Sequence, residues 1–293
     1  MTELDVGLWR STLGETHPHH GFDVEMDFWP QSAHASALAY EGVAEYRVVG
    51  GLVACVSGQG GGSQKATFRR ELVPILEGAV ERWRAAAEGV PIGRKVDAFF
   101  DEVQRGFDSF EGPPWADQLE VSASAAYVTP GVAQIACTGL ERAFRLRGGQ
   151  LAGVSARMSL LEMVPAADRA SLDEEAARMW ASMAVGHLGA SSRPRDRVRP
   201  WQSVEVDLTP GDVLLLLSGD GGELDVDLIA EALSAAIAAA GKERVRAPKI
   251  ARVLGELLSA PSRGRAPASE ERERRLRWLV PSRVSLAVVR VVS

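Results

Sequence analysis

The 293-residue chain is 46% hydrophobic and 25% charged, with a formal net charge of −6. That apolar share excludes wholesale disorder, and at about 150 residues per domain the length fits two domains or one large layered one. The densest apolar run, Val213 to Leu217, is far short of the roughly 18 residues a membrane helix needs, and the acidic balance argues against a general nucleic-acid binder.

In chain order, residues 1–20 read as irregular. Glu3 and Asp5 stand where a secretory leader would carry Lys or Arg, so a cytoplasmic protein without a membrane segment is expected. Irregular sequence, with Trp29-Pro30 in it, continues to about residue 40. Val43 to Val49 and Leu52 to Val56 are Val-rich runs split by Gly50-Gly51, which predicts a hairpin. A glycine-rich turn, Gly58 to Gly62, leads into a helix from Ser63 whose apolar face is Phe68, Leu72, Ile75, Leu76, Ala79 and Trp83. Gly89-Val90-Pro91 ends it, and a second helix is predicted over about 93–107 on Val96, Phe99, Phe100 and Val103.

Strand signals then dominate: Leu119 to Val128, Val132 to Cys137, Ala143 to Leu146 and Gln150 to Val154. A helix over about 173–183 precedes strands at Val204 to Val206 and Val213 to Leu217. Helices at 224–240 and 250–258 follow, then a Pro/Ser/Arg linker, then a last strand, Val284 to Val292. Runs of strands joined by turns favour antiparallel sheets, and two sets of helices must cover their outer faces. The expected architecture is α+β, an α/β/β/α sandwich, with a single domain over 21–293.

Several segments in this order resemble the metal-dependent protein phosphatases of the 2C (PPM) type. Gly21-Phe22-Asp23-Val24-Glu25-Met26-Asp27 is similar to the family's first block, a Gly, an Arg and an acidic pair. Val56-Ser57-Gly58-Gln59-Gly60-Gly61 is similar to Ala-Asp-Gly-Met-Gly-Gly, and Gly139-Leu140-Glu141-Arg142 to Gly-Asp-Ser-Arg. Ser155-Ala156-Arg157-Met158-Ser159 resembles Thr-x-Asp-His-Ser, and Leu188-Gly189 the short Leu-Gly block. Ser218-Gly219-Asp220-Gly221 resembles Ser-Asp-Gly, and Ser282-Arg283-Val284-Ser285 the closing Asp-Asn-x-Thr.

In that family two Mg²⁺ or Mn²⁺ ions sit between the sheets on carboxylates and water, and a bridging water attacks phosphorus. Hard cations need charged oxygen donors, the more so when two are adjacent. Here the resemblance places Ser57 at an aspartate position, Leu140 at another, and Ser282 or Arg283, depending on register, at a third. Asp23 falls at the phosphate-binding arginine. Asp220, Asp27 (register open by one) and the Gly58 carbonyl remain as residual metal candidates. Arg283 beside a cation adds a repulsion of roughly 4 kcal/mol at 4 Å with an effective dielectric of 20. The reading is a pseudophosphatase: no catalytic residues, no metal cofactor, and a regulatory role binding a protein partner, phosphorylated or not. The alternative is a divergent active phosphatase using Mg or Mn on Glu25, Asp207, Asp212 or Glu223.

Other features have blander readings. The glycine run lacks the Gly-Lys-Ser/Thr of a P-loop. His17, His19 and His20 read as exposed, His34 and His187 as structural, and Cys55 and Cys137 as buried inert thiols. Trp9, Trp29, Trp115 and Trp201 read as loop residues, either anchors or partner contacts. Arg142 reads as an ion-pair partner, and the cluster Arg193 to Arg199 as solvated.

Overall fold

The computed structural model describes residues 3–10, 22–30, 36–40, 43–48, 50–59, 65–111, 120–155, 158–183, 185–189, 199–219, 224–241, 246–259 and 284–292. Its strands are β1 (Glu3–Arg10), β2 (Phe22–Pro30), β3 (Ser36–Tyr40), β4 (Val43–Val48), β5 (Gly51–Gln59), β6 (Glu120–Val128) and β7 (Val132–Cys137). They continue with β8 (Arg142–Arg147), β9 (Gln150–Gly153), β10 (Leu188–Gly189), β11 (Gln202–Asp207), β12 (Val213–Gly219) and β13 (Val284–Val292). The helices are α1 (Lys65–Ala87), α2 (Lys95–Asp108), α3 (Leu160–Met163), α4 (Ala166–Arg169), α5 (Glu174–Ser182), α6 (Val226–Ala240) and α7 (Ala247–Ser259).

Two antiparallel sheets stack. The seven-stranded sheet has the order β3-β4-β1-β13-β12-β8-β9, and the six-stranded sheet the order β11-β7-β6-β5-β2 with β10 paired to β6. Alternation along each strand divides the apolar residues among three cores. Between the sheets lie Val6, Leu8, Val53, Ile135, Leu214, Leu216 and Val289. Outside the six-stranded sheet, α1 and α2 bury Leu72, Trp83, Phe99, Phe100 and Phe107 on Leu52, Ala125 and Tyr127. Outside the seven-stranded sheet, α6 and α7 bury Ile229, Leu233, Ile250 and Leu254 on Phe144, Leu215, Leu286 and Val288. Each such side chain contributes about 1.5–3 kcal/mol of burial. The sandwich expected from the sequence is the one observed.

Two local expectations are corrected. Residues 1–40 are not irregular throughout: Glu3–Arg10 is β1, set between β4 and β13, and Phe22–Pro30 and Ser36–Tyr40 are β2 and β3, so Trp9 and Trp29 lie in strands. Leu4, Val6 and Leu8 alternate into the inter-sheet core; that period-2 pattern was masked by the flanking charges of Glu3 and Asp5. Nor is Gly50-Gly51 the turn of a hairpin. β4 pairs with β1 and β3, whereas β5 pairs with β2 and β6, so the glycines carry the chain from one sheet to the other. A tight Gly-Gly turn reverses the chain either way, and only the partner strands decide which.

The second helix is locked to the sheet edge by polar contacts. Val96 N–H donates to Gln134 Oε1 (2.6 Å), and Trp201 Nε1 (2.9 Å) and Ser203 Oγ (3.1 Å) donate to the buried Asp97 carboxylate. Trp201 is therefore a buried anchor, and Arg199 pairs with Asp101 at 2.8 Å. Lys95, also buried, reaches the Ala87 carbonyl, and burial lowers its pKa. Residues 193–198 lie outside the described residues, as do His17, His19, His20, His34 and Trp115.

Candidate functional site

Strand register defines one end of the sandwich. In the six-stranded sheet, Asp23 pairs with Ser57 and Ser57 with Ser122, while Phe22 pairs with Gly58. The next row inward is Glu25, Val56 and Ala123, and the one after it is Met26, Cys55, Ser124 and Cys137. β7 ends there, and Thr138 to Glu141 crosses to the other sheet, where Arg142 pairs with Leu217. Ser218 and Gly219 pair in turn with Ser285 and Val284. The segments matching the phosphatase blocks thus converge on one end, although far apart in sequence.

The crossing between the sheets is tightly fixed. Thr138 N–H donates to the Ala123 carbonyl (2.8 Å), and Ala123 N–H donates to Thr138 Oγ1 (2.8 Å). Gly139 has φ +58°, and a Cβ there would overlap the Ser122 hydroxyl, so the block needs glycine on both counts. Ser122 Oγ lies 3.1 Å from His187 Nδ1, tying the loop before β10 to β6. Ser122 is fully buried beneath Gly139, which makes the pair a structural tie and not an accessible nucleophile with its base. Arg142 donates to the Leu224 carbonyl (3.0 Å) and lies 4.5 Å over the Phe144 ring.

The groups facing the inter-sheet space at this end are mostly neutral. Ser124 and Ser218 are buried hydroxyls on the strand faces that carry the inter-sheet core. Cys55 and Cys137 are buried thiols that form no disulfide. Burial pushes the Cys137 thiol up to about 12, with a nearby Glu141 carboxylate reinforcing the shift against a hydrogen bond from Ser155. Leu140 is only 8% exposed, an apolar side chain where the family block has aspartate. Glu141, also buried, is the described carboxylate of this crossing.

The sequence-derived candidates separate as follows. Asp23, Ser57 and Gly58 come together at this end, whereas Asp27 pairs with Ala54, three residues and about 10 Å further along β5 from Ser57 at ~3.3 Å per residue. The register therefore sets Asp23, not Asp27, beside Ser57 and Gly58, and a bulge between Asp23 and Glu25 makes the intervening count unreadable from sequence. Asp220, Ser282, Arg283 and Glu223 lie outside the described residues. Asp207 and Asp212 stand at the opposite end, about 20 Å from Gly219 along β12 at ~3.3 Å per residue, and do not serve as ligands here.

Asp212 has a different task. Its buried carboxylate accepts Arg147 Nε (2.9 Å) and Nη2 (2.6 Å) together with Thr209 N–H (2.8 Å). Burial alone would raise its pKa, but the bonds from Arg147 and Thr209 outweigh that and hold it below the usual carboxylate range. A depressed folded pKa gives stability that is present above the unfolded value, near 3.9, and lost as pH falls through the folded one. We expect Asp212→Asn to lower the unfolding free energy at neutral pH and to flatten its fall below about pH 4. Urea unfolding at several pH values checks this; an unchanged acid limb would refute it.

Solved structures share the architecture. The Mycobacterium tuberculosis serine/threonine phosphatase PstP/Ppp is similar over 98% of this chain and 100% of its own, with 16% identity and a TM-score of 0.59. The catalytic domain of PstP in complex with two manganese ions matches with 18% identity, the same coverage of 98% and 100%, and a TM-score of 0.56. The Mycobacterium smegmatis PPM Ser-Thr phosphatase MsPP, in complex with cacodylate, covers 92% of this chain and 97% of its own at 16% identity, TM-score 0.53. No protein-family model and no curated protein matches the sequence. The chain has the fold of the PPM-type serine/threonine phosphatases. Among the described residues no helix is long and apolar enough to cross a membrane.

Proposed function

We propose that this chain is a pseudophosphatase: a PPM-type fold that binds and regulates a protein partner in the cytoplasm and does not hydrolyse phosphoesters. The observation that carries the reading is the donor chemistry at the convergent end. A binuclear centre of hard cations needs several carboxylate oxygens to offset four positive charges in a confined space. The residues described there offer the hydroxyls of Ser124 and Ser218, a neutral thiol at Cys137, the aliphatic Leu140 in an aspartate position and one buried carboxylate, Glu141. That set does not fit two divalent cations. By the resemblance, Asp23 stands in the sequence where the family has its phosphate-binding arginine, and a carboxylate in place of a guanidinium disfavours a phosphoryl group as ligand.

Titration calorimetry with Mn²⁺ tests this directly. The expected result is no saturable heat at millimolar metal and no turnover of p-nitrophenyl phosphate or a phosphopeptide. Two bound manganese ions per chain, with turnover abolished by Asp220→Ala, would establish the active alternative instead.

A further inference from the structure

The helices between β9 and β10 stand apart from the three cores. Over residues 158–183, Leu160, Leu161, Val164, Leu172 and Trp180 are only half-buried, while Met163, Met179 and Met183 are 69%, 54% and 48% exposed. Those methionines are three of the five exposed large hydrophobic residues among the described ones. None of these side chains joins a core cluster.

Poor folding of the segment does not account for the exposure. Its base is fastened by Met158 N–H to the Gly139 carbonyl (3.0 Å), Leu160 N–H to Met183 (2.8 Å) and Val185 N–H to Met158 (2.8 Å). Ser159 and Glu162 form a capping box on α3, and Asp173 caps α5 through Ala176 N–H (2.7 Å). A segment held this firmly that still exposes Met163 and Met183 to solvent has the character of a binding surface. In sequence, residues 158–183 carry Glu162, Asp168, Asp173, Glu174 and Glu175 against Arg169 and Arg178.

We infer that this methionine-bearing, acid-rimmed face docks a basic amphipathic helix of a partner protein. Methionine is unbranched and polarizable, so it conforms to varied apolar anchors. An acidic rim selects Lys and Arg flanking an apolar stripe and speeds the encounter. The same charge disfavours the other occupants. An anionic membrane surface is repelled, and a second copy packed face to face by a two-fold sets carboxylates against carboxylates. The inference rests on the reading of the chain as a binding protein, but it uses the helices of residues 158–183 and not the strand-end residues themselves.

The probe is a fluorescent Lys/Leu peptide of about 20 residues with leucine at helical spacing, followed by anisotropy on the full chain. Saturable binding is expected that weakens as salt rises. The triple variant Met163→Gln, Met179→Gln, Met183→Gln should weaken it at least about tenfold, and Asp168→Asn with Glu175→Gln should reduce its salt dependence. The single variant Met163→Gln, on the most exposed of the three, gives a smaller loss that no unfolding can explain. Absence of saturable binding, equal binding of a Glu/Leu peptide, or affinity unchanged in the methionine variants would overturn the inference. So would self-association of the chain, or binding to anionic vesicles, that the methionine variants abolish. Failed peptide binding with manganese still silent leaves the pseudophosphatase reading standing, whereas manganese binding with intact peptide affinity removes only that reading.

Discussion

Replacing Asp5 by alanine is expected to cost about 3–5 kcal/mol, the range found when one partner of a buried charge network is removed. Asp5 Oδ2 accepts Arg246 N–H (2.8 Å), Ala247 N–H (2.9 Å) and Arg290 Nη1 (2.9 Å). It therefore caps α7 from a strand at the other end of the chain while neutralising an arginine on β13. Alanine leaves two helix-terminal N–H groups without their acceptor and a largely buried guanidinium without its counter-charge. The thermal midpoint should fall by something on the order of 10 °C. Asparagine keeps an acceptor and loses the charge, so its effect should be smaller. A loss below about 1 kcal/mol for Asp5→Ala in urea unfolding would mean that α7 is held by its apolar face alone.

The second large effect is at Gly7, two residues along the same strand face. A Cβ at Gly7 would overlap the Ala247 carbonyl and the Pro248 nitrogen, and one at Gly255 would overlap the Trp9 ring. The two glycines let α7 lie against β1 more closely than side chains permit. Glycine in a strand is ordinarily a liability of about 0.5–1 kcal/mol relative to alanine, so Gly7→Ala would stabilise if only backbone entropy mattered. The clash is with backbone, which cannot rotate away, and we expect a net loss of about 3 kcal/mol, the upper end of ordinary overpacking. Gly131, where an added Cβ meets nothing within 4 Å, is the matched control. Gly131→Ala should be neutral to slightly stabilising, and equal losses at both positions would refute the close-approach account.

These two residues also show where sequence reasoning stopped. The amphipathic face of α2 could be read directly, because Val96, Phe99, Phe100 and Val103 follow helical spacing and all four are buried. The strand Val213–Gly219 could be read from an apolar run after Pro210-Gly211, since both faces of β12 are covered. β1 escaped because Asp5 looks like a surface residue, and its partners Arg246 and Arg290 are remote in sequence. The site was legible as an ordered set of family-like blocks, and the strands do bring several of those blocks to one end. Its register was not: the bulge after Asp23 decides which acid sits beside Ser57, and no local pattern encodes a bulge there. The helical segment with Met163, Met179 and Met183 carried no signal beyond one predicted helix, because exposure is a property of packing.

The place of β1 between β4 and β13 has a kinetic consequence. Asp5 and Arg290 are 285 residues apart, so the β1–β13 pairing of the seven-stranded sheet joins strands far apart in sequence. Nascent chain lacking β13 would carry β1 and β12 as open edges lined with Leu and Val, a state prone to aggregation. Such non-local topology folds slowly. β1 and β12 therefore keep those edges open until Val284–Val292 has been synthesised and has paired between them.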